Sequence, residues 1–174
     1  MKTSRDLKSR FFFVCALLVF HWSFMSITLG DSLPKADRIL VEKSARTLSL
    51  FKESKVLKTF SVALGTNPVG HKEKEGDGKT PEGFYRINGR NSQSKYHLSL
   101  RISYPNAADI AAAKKQGVSP GGEIMIHGLP NGMGALGAAH RLKDWTIGCI
   151  AVTNEEIQEI WDSVSDGTSI EIRP

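Results

Sequence analysis

The sequence predicts a mainly β domain with two short helices, built as a β-sandwich or an open barrel. Short segments of alternating apolar and polar residues recur along the chain, and turn-forming residues separate them. Only two segments have the capping residues and the spacing that are typical of helices. Many strands with few helices can bury an apolar face by packing sheet on sheet or by curling one sheet upon itself.

The first 30 residues differ in composition from the rest and predict a secretory signal peptide. Four basic residues precede an almost wholly apolar run at 11–20, and small residues end the segment at Gly30. An uncleaved N-terminal anchor is the alternative, because residues 11–29 approach the ~20 residues that span a bilayer. In either case we expect residues 31–174 to form one exported domain, in the periplasm or cell envelope.

The charge balance of residues 31–174 narrows the choice of partners. They hold 19 basic and 17 acidic residues, a net charge of +2 against +5 for the whole chain. No basic face with interleaved aromatic residues is evident, so we do not expect nucleic acid as a partner. No HExxH motif or similarly spaced ligand pair occurs, so we expect no metal and no cofactor. Membrane contact is expected only through an uncleaved N-terminal segment.

Alternating apolar residues predict a series of strands. A hairpin is expected first, with residues 44–46 as its turn, and the charged, glycine-rich segment 70–81 is expected to be a surface loop. The predicted strands are 38–43, 47–51, 56–64, 83–88, 98–103, 123–127 and 168–173.

Two segments carry helix signals. The first is 107–116, with Asn106 as its N-cap and Gly117 as its stop. The second begins after Thr153, which forms a capping box with Glu156. Its apolar residues fall at i, i+3, i+4 and i+7, which predicts one buried stripe that includes a core tryptophan. The stripe consists of Ile157, Ile160, Trp161 and Val164.

The predicted mature region contains a single cysteine, Cys149, because Cys15 lies inside the predicted signal peptide. A lone cysteine in an oxidising compartment has no intramolecular partner, so it does not indicate a disulfide. A buried, inert thiol is one interpretation. We favour a catalytic thiol, because His127 lies upstream at the end of a predicted strand and could take the thiol proton.

The glycines beside these two residues fit thiol catalysis. Gly148 would let a substrate carbonyl approach the backbone closely, so the amides of Gly148 and Cys149 are candidate oxyanion donors. A main-chain carbonyl at Gly128 could fix the tautomer of His127.

Residues between the histidine and the cysteine are candidates for substrate contact. Arg141, Trp145 and Thr146 could hold a substrate, although Arg141 and Trp145 could equally be a surface salt bridge and a packing residue. The segment 129–139 is rich in glycine and long for a hairpin connection. We therefore predict a mobile loop that covers the cleft holding Cys149.

Three short motifs occur in order along the chain: Gly78-Lys79-Thr80-Pro81-Glu82-Gly83, Ile126-His127-Gly128 and Thr146-Ile147-Gly148-Cys149-Ile150. On these motifs, residues 38–174 resemble the L,D-transpeptidase catalytic domain (YkuD-type), the cysteine enzymes of bacterial peptidoglycan. The resemblance implies a β-sandwich-like fold with Cys149 as nucleophile in a cleft, His127 as general acid/base, Gly128 as the source of the orienting carbonyl and Gly148 in the oxyanion site.

Two positions depart from the family pattern. Ile147 stands where many members have a second histidine, and Ala151 stands where they commonly have arginine or asparagine. Isoleucine offers no donor, acceptor or charge, so His127 is the stronger candidate base, and His140 is the other.

The resemblance implies action on peptidoglycan stem peptides, with more than one possible outcome. The first is an L,D-transpeptidase that acts through a cysteine acyl-enzyme in cell wall cross-linking or remodelling. The segment 145–152 also resembles a subgroup that includes a hydrolase detaching a wall-linked protein, so a hydrolase or amidase of the same fold is an alternative. A non-enzymatic cell-wall-binding module is the second alternative, and it would need no reactive thiol.

Overall fold

The computed structural model describes residues 32–174, and its strands form one eight-stranded sheet. The predicted signal peptide or anchor lies outside the described residues. Among the described residues, no helix is long and apolar enough to cross a membrane. The strands are β1 (Arg38–Glu42), β2 (Thr47–Lys52), β3 (Lys55–Ser61), β4 (Gly83–Ser94), β5 (His97–Ile102), β6 (Met125–His127), β7 (Ile150–Ala151) and β8 (Ser169–Arg173).

The sheet curls until its two ends meet. Its strand order is β3-β2-β1-β8-β4-β5-β6-β7, so β3 and β7 are the formal edges. Ala63, two residues after β3, nevertheless forms an antiparallel bridge with Ala151 in β7. Backbone hydrogen bonds of 2.8 and 2.9 Å join the same two residues. The mainly β, curled architecture that the sequence predicts is therefore confirmed.

The core fills the inside of this curled sheet. Alternate residues of each hairpin strand point inward, as Ile39 and Val41 do in β1 and Leu48 and Leu50 do in β2. The buried cluster also takes in apolar residues from β4, β5, β6 and β8. Burial of this continuous apolar surface is the main force that holds the strands together.

Both predicted helices are present with their predicted caps. In α1 (Ala107–Lys115), the Asn106 side chain accepts hydrogen bonds from the first-turn amides, and in α2 (Asn154–Ser163) Thr153 and Glu156 cap each other. The stripe of α2 is buried except for Trp161, which is half-buried against the core with the Arg90 guanidinium 3.9 Å from its ring centre.

Some boundaries differ from the prediction. A 3₁₀ helix, Gly134–Leu142, occupies part of the predicted glycine-rich loop. It has no side-chain N-cap and breaks at Gly137, where φ is 45° and ψ is −134°, so it lacks the signals by which a helix is found in a sequence. The fourth strand continues to Ser94 because its pairing with β5 extends that far, which a sequence pattern does not reveal.

Candidate active site

Strand register fixes the position of the predicted base relative to the segment that holds the predicted nucleophile. In the parallel pair β6 and β7, Ile126 lies opposite Ile150, and His127 lies opposite Ala151. Both isoleucines are fully buried in the core. Because side chains alternate along a strand, His127 and Ala151 lie on the other face. Cys149 immediately precedes β7, and His127 is not among the residues that line its cavity. A hydrogen bond of 3.0 Å from Val152 N to His127 O extends the pairing.

His127 is fixed in one tautomer. Its Nδ1 lies 2.7 Å from the carbonyl oxygen of Gly128, and a carbonyl can only accept, so Nδ1 carries the proton. Nε2 therefore carries the lone pair that a general base needs. Burial lowers the pKa of His127, the Gly128 carbonyl opposes that effect, and a positive charge on His140 would lower it further. The imidazole is consequently neutral at neutral pH.

Aromatic side chains hold the His127 ring in place. The Tyr96 ring centre is 4.4 Å from that of His127, and the Trp145 ring lies edge-on to it at 5.8 Å. On its other side, Trp145 meets His140 at 6.4 Å and donates a 3.3 Å hydrogen bond from Nε1 to His140 Nδ1. Trp145 is thus a packing residue that contacts both histidines.

Cys149 lies in a cavity of about 250 Å³. Its Sγ is 3.5 Å from the carbonyl oxygen of Glu123, the residue that precedes the strand bearing His127 by two positions. Burial raises the pKa of the thiol above its usual value, while a main-chain hydrogen bond from Met125 and the positive charge of Lys72 act in the opposite direction. The resting thiol is therefore protonated.

The turn that leads into Cys149 is held by Thr146. The hydroxyl of this residue accepts a 3.1 Å hydrogen bond from Gly148 N and donates a 2.8 Å hydrogen bond to Cys149 O. Thr146 is almost fully buried, so it shapes the backbone beside the thiol. The Gly148 amide is engaged by this hydroxyl, and it could serve an oxyanion only by exchanging that partner.

Gly148 also brings two segments of backbone into close contact. Its φ is +131°, and a Cβ built on it would lie 2.6 Å from Lys79 O and 3.1 Å from the Ile124 side chain. Gly65, in the neighbouring segment, would place a Cβ 2.0 Å from Gly78 O. Main-chain atoms of the motif at 78–83 therefore lie directly against the cysteine turn and the segment beside it.

The other predicted contacts lie apart from the thiol. Arg141 forms an ion pair with Glu156 at the start of α2, as the salt-bridge interpretation expects. No residue of 129–139 lines the Cys149 cavity, and the lid over that cavity stays a prediction. The segment lines an apolar cavity with His140 and Trp145, where its Met133 and Leu136 side chains are about half exposed.

Two residues of this site have no signal in the sequence. Lys72 lies in a segment predicted to be a solvated surface loop, yet only 3% of its surface is exposed and it lines the Cys149 cavity. Tyr96 follows a strand that extends further than its sequence pattern predicts, and its ring is tilted by 40° against the imidazole. Lys72 shares a cavity with Cys149 and Tyr96 contacts His127, and each of these pairs is far apart in the sequence, so no local pattern could have indicated either residue.

Comparison with known proteins identifies the family. The model of the L,D-transpeptidase catalytic domain (YkuD) matches residues 36–172. The chain belongs to this family. It is 31% identical over 133 residues to YafK of Escherichia coli K12, which is named as a provisional L,D-transpeptidase, and the match covers 73% of this chain and 46% of YafK.

Solved structures of the family have the same fold. The helical cell shape determining protein Pgp2 of Campylobacter jejuni (K307A mutant) matches with a TM-score of 0.60 and 27% identity, over 81% of this chain and 49% of that one. Bd1075 of Bdellovibrio bacteriovorus gives 0.56 and 28%, over 80% and 48%. The chain thus spans about half the length of these relatives. An L,D-transpeptidase of Mycobacterium smegmatis shares the fold at 15% identity, with a TM-score of 0.51 over 80% of this chain and 59% of that one.

Proposed function

We propose that this protein is a peptidoglycan L,D-transpeptidase that acts on stem peptides through an acyl-enzyme at Cys149. The observation that carries the proposal is the pairing of strands β6 and β7. It puts His127, whose tautomer is fixed, opposite Ala151, two residues after the cavity-lining Cys149. Membership of the family supplies the substrate class, and the similarity to Pgp2 supports a role in cell wall remodelling and cell shape.

Acyl transfer would proceed in two steps, acylation of Cys149 and then transfer of the acyl group to an amine. The Cys149 thiol gives its proton to His127 Nε2 as Sγ attacks a stem-peptide carbonyl, which forms a tetrahedral oxyanion. Collapse of this intermediate breaks the C–N bond, and the imidazolium returns its proton to the departing amine. An incoming amine then attacks the thioester and loses a proton to His127. The C–S bond breaks as the new amide forms, and the imidazolium returns the proton to the Cys149 thiolate.

The two pKa shifts determine when the proton moves. Burial raises the thiol pKa and lowers the imidazole pKa, so both groups rest in their neutral forms. Proton transfer is therefore coupled to attack on the carbonyl, as general base catalysis requires. Main-chain amides at the cysteine turn are the candidate donors to the oxyanion. The Gly148 amide would first have to give up its hydrogen bond to the Thr146 hydroxyl, whereas the Cys149 amide makes no bond to that hydroxyl.

The acceptor separates a transpeptidase from a hydrolase. The purified protein should be incubated with defined stem peptides, alone and with an added amine acceptor, and the products followed by mass spectrometry. Cross-linked dimers or acceptor adducts support the proposal. Shortened stems without adducts would assign hydrolysis to the same cysteine. The absence of both product and acylated Cys149 would leave only binding.

Export is part of the same proposal. The substrate lies outside the cytoplasm, and the predicted signal at residues 1–30 would deliver the domain to the periplasm or envelope. Mass spectrometry of the mature N-terminus from a cell envelope fraction tests this: a terminus near residue 31 indicates cleavage, and retention of residues 1–30 indicates an anchor.

A further inference from the structure

A buried ammonium group faces the cavity that holds the nucleophile. Lys72 is 97% buried, and its side chain lines the same cavity as Cys149. Its Nζ donates a 2.8 Å hydrogen bond to Asp77 Oδ1 and a 3.1 Å hydrogen bond to Lys74 O. An ammonium has three N–H donors, so one remains without a protein acceptor among residues 32–174.

The carboxylate that pairs with Lys72 is that of Asp77. Asp77 does not line the cavity. Its oxygens also accept main-chain hydrogen bonds from Glu73, Lys74 and Lys79, of 2.8, 3.1 and 3.0 Å. These bonds and the Lys72 ammonium overcome the effect of burial and hold the pKa of Asp77 at about 2. The ionised Asp77 carboxylate thus holds the Lys72 ammonium in position, and Lys72, not Asp77, lines the cavity.

The two acidic residues of the cavity wall are engaged elsewhere. Glu75 accepts a 3.2 Å hydrogen bond from the Ser119 hydroxyl, and the Glu123 carboxylate is 3.8 Å from the Arg101 guanidinium. Glu123 is also 72% exposed at its side chain, so solvent screens its charge. The buried charge next to Cys149 is therefore positive.

We propose that Lys72 binds a carboxylate of the stem peptide and thereby seats its scissile carbonyl at Cys149. This inference rests on the proposed function and adds the recognition group to it. A peptide stem ends in a carboxylate, and an ammonium already held in place pairs with such a group at little cost in side-chain entropy. The free third donor of Lys72 supplies the hydrogen bond.

The first test compares two alkylating reagents and needs no turnover. Iodoacetate carries a carboxylate and iodoacetamide does not, and both react with the same thiolate of Cys149. A change in the thiol pKa alters both rates alike, so the ratio of the two rates reports attraction of an anion alone. At one mildly alkaline pH, we expect Lys72→Met to lower the iodoacetate-to-iodoacetamide ratio at least about threefold.

Matched variants control for loss of the loop. Lys74→Met removes a lysine from the same loop that is exposed and does not line the cavity, and it should leave the ratio unchanged. Lys72→Arg keeps the charge and should keep most of the ratio. An unchanged ratio in Lys72→Met, with its thermal transition intact, would overturn the proposal and leave Lys72 as a structural or thiolate-stabilising residue.

A second measurement uses the unaltered lysine. In Cys149→Ala protein, a stem peptide with a free C-terminal carboxylate should bind at least about threefold more tightly than its C-terminal amide, by calorimetry. Lys72→Met in the same background should remove that difference. Equal binding of acid and amide would overturn the proposal even if Lys72→Met does not fold. Catalysis that persists with equal binding would leave the proposed function standing, so the two failures are distinguishable.

Discussion

The cysteine turn is predicted to be intolerant of a single methyl group at Gly148. Replacement by alanine forces a Cβ to within 2.6 Å of Lys79 O, at a φ of +131° that L residues rarely adopt. Backbone strain of this kind costs about 1–3 kcal/mol. Overpacking against a backbone atom adds about 1–3 kcal/mol more. We therefore expect Gly148→Ala to lower the free energy of unfolding by about 2–6 kcal/mol.

Two other glycines separate these contributions. Gly132 has a φ of +86°, and a Cβ added there would have nothing within 4 Å, so Gly132→Ala should show the strain alone. Gly65 has no positive φ, but its Cβ would lie 2.0 Å from Gly78 O, so Gly65→Ala should show the clash alone. Comparison of the three variants measures how much of the loss in unfolding free energy comes from the close approach of the two backbone segments.

Thermal unfolding followed by circular dichroism is the assay. For a domain of this size, 1 kcal/mol corresponds to about 2–4 °C in the transition midpoint. Gly148→Ala should therefore lower the midpoint by roughly 4–24 °C, and Gly132→Ala by only about half as much, roughly 2–12 °C. Equal losses in these two variants would refute the argument that the motif at 78–83 supports the cysteine turn by direct contact.

Three further predictions concern the chemistry at Cys149. His127→Ala should lower the rate of acylation by a reactive β-lactam at least about a hundredfold, while His140→Ala should retain most of that rate. Intact-protein mass spectrometry measures both rates, and a larger loss in His140→Ala would identify His140 as the base. Thr146→Val removes the hydroxyl that joins Gly148 N to Cys149 O, and it should slow acylation roughly tenfold. Thr146→Ser keeps the hydroxyl and should keep the rate. Equal rates in the two variants would show that the hydroxyl does not contribute to acylation. Because burial raises the pKa of the thiol above its ordinary value, less thiolate is present at any given pH, and alkylation by iodoacetamide should still be rising in the mildly alkaline range. Because burial lowers the pKa of His127 below its ordinary value, the acid limb of β-lactam acylation should lie on the acid side of an ordinary imidazole titration. A plateau of alkylation by neutral pH would contradict the first of these two predictions.

The parts of the fold that local patterns specify were predicted well. The hairpin at 38–52 was predicted from apolar residues at alternate positions, and Ile39, Val41, Leu48 and Leu50 are indeed fully buried in the core. Both helices were found from their caps, since Asn106 and Thr153 satisfy first-turn amides that must find partners in any context. The strand positions in the sheet, and the meeting of its ends at Ala63 and Ala151, depend on long-range pairing and have no local signal.

The same distinction between local and long-range information applies to the site residues. His127 and Cys149 could be singled out because their residue types are reactive and their neighbours are glycines. The position of Lys72 could not, because the composition of the segment 70–81 is that of a solvated loop, whereas the structure buries Lys72 beside the Cys149 cavity. The composition of the loop at 129–139 indicates irregular backbone but does not indicate which cavity the loop lines.

The most direct test of the central claim is mass spectrometry of the protein during reaction with a stem peptide. The account predicts an acyl adduct that maps to Cys149, is absent from Cys149→Ala and forms far more slowly in His127→Ala, with each variant folded by circular dichroism. Release of the adduct by an amine should then yield the cross-linked product. Substantial product formation by folded Cys149→Ala would contradict the claim that this thiol is the nucleophile.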